Sequence, residues 1–307
     1  MFATPRISTV CFIFSPEETP EPKGPLRAVS PHKDRRTGFP WMDTHSDHHV
    51  HTRFCNHAVG EMEEYVQAAI DKGLSRITFL EHMEEGISAP SATWLNDADF
   101  DRYFAEGERL KTVYGSQLKI RLGVECGFNE ACAGTLLHRL SQRKWDEVGI
   151  SCHFLKLDGD DLHLNLFSRK EINVRRALQH NSGTLFTRYL KALIMAASVL
   201  PGTMLCHLDG ALRFVPEASL AKEHEALIAT LLSIVKEKNM AVEINTSGIA
   251  IRGEAFPCKD ILATVMEQKI PLVLSSDAHQ PRDVGNYFSL FKHLLELSAS
   301  PRPGFSS

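Results

Sequence analysis

The chain lacks any run near the roughly 20 apolar residues that a helix needs to cross a bilayer. Its nearest approach, ISTVCFIF at 7–14, is followed by the acidic, proline-rich SPEETPEPKGP and no small-residue cleavage site, so it is not expected to act as a secretory leader. Basic charge is not in excess. Lys and Arg number 34 against 38 Asp and Glu, a net charge of −4, which argues against a broadly basic nucleic-acid surface. A CxxC pair is also missing. The seven cysteines, at 11, 55, 126, 132, 152, 206 and 258, form no tight framework and read as reduced thiols of a cytoplasmic protein. Apolar residues, by contrast, are not scarce. With 43% hydrophobic residues in 307, the chain can bury one large core, and a single barrel of roughly 250 residues fits that length.

Histidine is abundant and clustered. SDHHVHTRFCNHAVGE, 46–61, holds His48, His49, His51 and His57, with Cys55 among them as a further candidate metal contact. From there short apolar, β-branched runs predict seven strands, at 46–52, 76–82, 119–126, 147–154, 203–209, 241–247 and 271–278. Helical patterns follow them at 60–73, 97–115, 131–144, 183–198, 217–238, 258–268 and 286–298. Most of the strands are apolar on both faces, as in a parallel sheet covered by helices. The alternation predicts an α/β fold, either a closed barrel or a doubly wound open sheet. Residues 155–182 are polar and irregular and predict a long loop over the C-terminal edge of the sheet. Residues 1–41 read as a loosely attached extension, 42–300 as the barrel and 301–307 as a tail.

Residues of ligand type recur at the ends of these strands. His49 and His51 end the first, with His57 beyond; Glu81 and His82 end the second. Glu125, His153, His207 with Asp209, Glu243 with Asn245, and Asp277 with His279 follow on the other five. In a parallel barrel all strand C-termini share one face, so seven imidazoles and several carboxylates would meet in one bowl. His49 and His51, two apart on a strand, share a side and can chelate together. Imidazole with carboxylate suits Zn²⁺ or Fe²⁺, and seven imidazoles exceed one ion's shell, so two or three ions are expected. A lone buried histidine is more often a structural residue, and His138, His180, His224 and His293 are assigned to surface or structure.

The stretches DHHVHTRFCNHA, TFLEHM, GVECGF, SCHF, CHLD, EINTSGI and SSDAHQPRDVG, in that order from Asp47 to Tyr287, resemble the PHP (polymerase and histidinol phosphatase) superfamily, and within it the histidinol-phosphatase branch. The resemblance implies a distorted (β/α)7 TIM-like barrel with three divalent ions, Zn, Fe or Mn. It implies His49, His51, Glu125 and Asp277 on one ion, Glu125, His153 and His207 on a second, and His57, His82 and His279 on a third. It also implies hydrolysis of L-histidinol phosphate in histidine biosynthesis, with a small phosphorylated metabolite as partner. Glu125 and Asp277 are then the candidate catalytic residues, Asp277 also as a proton carrier, while Asp47 is a candidate for orienting a ligand histidine and Glu81 for either that task or a structural role facing the helices. Arg53, Arg213 and Arg252 are candidates for a phosphate clamp. The match thins over HFLKLDGDDLHLNLFSRKEI, whose Asp158, Asp160 and Asp161 would either receive a substrate amine or form a solvated hairpin. Two other readings stand beside the phosphatase: a phosphoesterase acting on nucleotides or oligonucleotides, and a non-catalytic accessory domain.

Overall fold

A computed structural model describes residues 42–214 and 220–291. The expected extension 1–41, the tail 301–307, His293 and most of the helix at 286–298 lie outside the described residues.

Seven parallel strands form the barrel: β1 Ser46–Val50, β2 Arg76–Met83, β3 Lys119–Gly127, β4 Val148–Ser151, β5 Met204–Leu205, β6 Ala241–Asn245 and β7 Leu272–Ser275. Each pairs in parallel with the next in chain order. The intervening helices are α1 Met62–Asp71, α2 Asp97–Tyr114, α3 Ala133–Ser141, α4 Glu171–Leu178, α5 Ser182–Val199, α6 Lys222–Glu237, α7 Ser247–Arg252 and α8 Lys259–Glu267. The order of strand and helix is that expected of the (β/α)7 barrel, and the doubly wound alternative is set aside by the closure of the sheet.

Closure is made at the seam between β1 and β7. The pair Met42–Asp43 runs parallel to β7, aligning with Leu272 and Val273. Further up, Asp277 N donates to His49 O at 2.8 Å and His51 N to Ala278 O at 2.9 Å. Asp47 locks the same seam. Its carboxylate accepts from Ser276 N at 3.0 Å, Ser276 Oγ at 2.5 Å and Gly285 N at 2.8 Å. Strand burial is complete on both faces in β1 and nearly so in β2, which is what a parallel sheet clothed by helices demands.

The barrel is distorted in two places. The β1–β2 register shifts between Asp47 and Val50. β5 is two residues long, because the chain leaves the strand at once and His207 takes a left-handed φ of 25°. Sequence pattern also missed structure within 155–182. A short antiparallel hairpin, Phe154–Leu155 with Leu164–Asn165, precedes α4, and both stand over the open end of the barrel. No described helix is long and apolar enough to cross a membrane.

Candidate metal centre

The strand ends deliver their polar side chains into one cleft of about 1040 Å³, lined among others by His57, His82, Glu84, Glu125, His153, His207, Arg213, Asp277 and His279. Glu125 is fully buried in its floor, and His49 and His51 are fully buried behind it. All nine candidate ligand residues therefore meet at the C-terminal end of the barrel.

Glu125 sits at the middle. Its Oε1 lies 2.8 Å from His207 Nε2 and 3.0 Å from His153 Nε2. Its Oε2 faces a different group: His82 Nδ1 at 2.9 Å, His49 Nε2 at 3.4 Å and His51 Nε2 at 3.5 Å. Oε2 and His82 Nδ1, though close, make no hydrogen bond with each other or with anything else described. Donor atoms crowded together without mutual hydrogen bonds are aimed at a common point. Asp277 completes the second group, with Oδ1 3.3 Å from His51 Nε2. It holds a left-handed φ of 52°, a costly conformation for a side chain of this size and one that clusters at functional sites.

The tautomers sharpen the point. His57 Nδ1 lies 2.9 Å from Cys55 O, and His279 Nδ1 lies 2.9 Å from Asp277 O. A carbonyl only accepts, so in both rings Nδ1 carries the proton and Nε2 the lone pair. Yet these two Nε2 atoms are 2.8 Å apart. Lone pairs at that distance repel unless a cation lies between them. His57, His82 and His279 place ring nitrogens within 4.8 Å of one another, as His49, His51 and Asp277 place their ligand atoms. Burial first, and the rings of His82 and His279 next, push His57 down to about 3, so it is a neutral ligand at neutral pH. Burial and the neighbouring imidazoles likewise hold His51 well below the usual histidine range. By donor chemistry and spacing, these residues fit divalent cations.

Two carboxylates outside the expected ligand set hold the rings in place. Glu243 Oε1 accepts from His49 Nδ1 at 2.7 Å, and its Oε2 accepts from His207 N at 2.5 Å. Glu84 Oε1 accepts from His153 Nδ1 at 2.6 Å. Sequence reasoning noticed Glu243 only as a strand end and missed Glu84. Both lie two residues from a strand-end polar residue, Asn245 and His82, and that shared face was the available signal.

Several expectations need correction. Asp47 receives the backbone N of His49 at 3.3 Å, not its ring, and closes the seam. Glu81 binds Thr52 N at 2.8 Å and Thr52 Oγ1 at 2.5 Å, and burial pushes it up to about 8. Arg53 is not on the cleft wall, because Glu61 takes its Nε at 2.6 Å in solvent. Arg252 is not on the wall either; it is partly buried between Asp209 at 3.4 Å and Glu254 at 2.7 Å. Arg213 does line the cleft, together with Arg169, which sequence reasoning passed over. Asp160 and Asp161 also line it, with Asp160 paired to Arg176 at 2.7 Å, while Asp158 does not. His138 and His180 are exposed, and His224 is buried as a helix cap that receives Ala221 N at 3.2 Å.

A model of the PHP domain matches residues 47–247. The chain belongs to the PHP family. Among curated relatives, the Bacillus subtilis "Histidinol-phosphatase" is 28% identical over 260 residues, covering 80% of this chain and 97% of the relative. The Deinococcus radiodurans "Probable histidinol-phosphatase" is 30% identical over 251 residues, covering 79% and 89%. This PHP chain also shares its fold with the Lactococcus lactis histidinol phosphate phosphatase, solved with zinc, L-histidinol and phosphate. That likeness has a TM-score of 0.68 at 20% identity and covers 85% of this chain and 95% of the other.

Proposed function

We propose that this PHP protein is a metal-dependent phosphomonoesterase that converts L-histidinol phosphate to L-histidinol and phosphate, a step of histidine biosynthesis. The observation that carries the reading is Glu125, whose two oxygens face two separate sets of imidazoles. The names of relatives that align over most of their length supply the substrate. His49, His51, Asp277 and Glu125 would hold one ion, Glu125, His153 and His207 a second, and His57, His82 and His279 a third. Zinc fits this donor set, as do Fe and Mn. Bound there, divalent cations supply an acidified water and neutralise the phosphoryl oxygens.

The protein's own groups do the rest. Arg213 stands on the cleft wall to grip phosphate oxygens. Glu243 and Glu84 fix the proton on Nδ1 of His49 and His153, leaving each Nε2 free to ligate. Asp277 Oδ2 receives Asn245 Nδ2 at 3.2 Å, which keeps this carboxylate aimed at the cleft, where it can carry a proton during turnover. Residues of the hairpin and of α4 line the cleft, an arrangement that suits a small metabolite. We place the enzyme in the cytoplasm, where the free cysteines found among the described residues stay reduced.

The test offers the metal-loaded protein histidinol phosphate, a nucleoside monophosphate and single-stranded DNA, and measures released phosphate and nucleotides. Preferred release from histidinol phosphate is expected. Preference for either of the other substrates would overturn the assignment.

A further inference from the structure

Arg213 is a partly buried cation with no ion pair among the described residues. Its Nε is shut away from solvent with no hydrogen-bond partner. What it has instead is aromatic. Its guanidinium carbon lies 5.2 Å from the ring centre of Phe167 and 5.5 Å from that of Phe214. Phe167 also meets the ligand-type rings. It packs at 4.6 Å on His207 and edge-on at 5.2 Å to His153.

The placement of Phe167 is fixed from several sides. Asn165 Oδ1 accepts from the backbone N of Phe167 at 2.8 Å and of Ser168 at 2.9 Å. Asn173, in the first turn of α4, bonds the backbone of Asn165 through both ends of its amide. Leu166 N donates to His153 O at 2.8 Å. Beneath the ring lies Gly210, where an added Cβ would come within 2.7 Å of the ring carbons. The segment that departs from the family pattern thus carries a side chain locked over the centre.

We propose that Phe167 is a positioning residue. Its face is the shelf that holds the guanidinium of Arg213 in the cleft, ready for a phosphate dianion, with no carboxylate among the described residues ion-paired to it. A cation over an aromatic face keeps its full charge for the ligand, whereas an ion pair would spend it. This rests on the reading of Arg213 as a phosphate grip, given above.

The experiment compares Phe167→Leu, Phe167→Tyr, Arg213→Met and the double variant Phe167→Leu/Arg213→Met. It reads kcat and KM for histidinol phosphate, competitive inhibition by inorganic phosphate, and bound metal per chain. Phe167→Leu should weaken phosphate inhibition and raise KM by about three- to tenfold, with kcat within about twofold and metal content unchanged. Phe167→Tyr, which keeps the ring face, should stay near the parent. In the Arg213→Met background, Phe167→Leu should have no further effect on phosphate. Unchanged phosphate inhibition in Phe167→Leu, an additive double variant, or joint loss of kcat and metal would overturn the shelf alone. Unchanged inhibition in Arg213→Met would overturn the grip and the shelf with it.

Discussion

At the scale of single residues, Glu125 is the most exposed to test. Glu125→Gln removes one charged oxygen from between two imidazole groups. We expect it to lose at least one bound ion per chain and about 100-fold or more in kcat, read by elemental analysis and steady-state rates. Full metal content and full rate would remove the bridging role. Glu243→Ala and Glu84→Ala should each loosen metal binding by about 10- to 100-fold, with Glu84→Gln milder because its amide oxygen still accepts from His153 Nδ1. Metal-competition titrations measure this. The residues of the candidate centre were legible because they end strands in a parallel fold, where sequence position becomes spatial convergence. The arginines were not, because their partners lie elsewhere in the chain. Nothing near Arg252 announces that Asp209 will neutralise it. Nothing in the sequence marks Arg213 as making no ion pair among the described residues.

At the scale of elements, the base of the barrel carries a second polar cluster. His48 is buried, with Nδ1 3.3 Å from Glu147 and Nε2 3.4 Å from Asp43. Burial opposes its charge, but hydrogen bonds to Asp43 and Glu147 outweigh that and raise it to about 9. A raised histidine stabilises fully below its unfolded value near 6.5, and that contribution is lost as pH rises through about 9. Urea unfolding should therefore show up to about 3 kcal/mol of decline across this window, largely absent in His48→Gln. Asp47→Ala should cost about 3 kcal/mol or more, because Ser276 N and Gly285 N lose a buried acceptor; denaturation midpoints at unchanged slope report it. All seven strands were legible from apolar runs between helical patterns. α4 was not, because it is only 8 residues long and fully buries none of them, leaving Ile172 and Leu178 exposed, so its apolar positions are too few to stand out from a loop. The hairpin beside it was missed because its strands are two residues each.

At the scale of the whole molecule, the fold class followed from the alternation of elements, whereas closure was invisible in it. An open sheet gives the same string of strands and helices; the bonds across the seam, among them those from Asp277 and His51, distinguish a barrel. Stripping divalent ions with a chelator should abolish activity and also lower the midpoint of thermal unfolding. The drop should be restored by zinc in proportion to the logarithm of its free concentration. The seam gives that loss an address. His49, His51 and His57 belong to the first strand and the loop after it, while Asp277 and His279 follow the last strand. Cations gripped by both groups would rivet the opening of the barrel's chain to its close, like a clasp on a bracelet. Amide exchange in the stripped protein should quicken first along 49–59 and 276–285, and the far wall around β3 should be the last to notice.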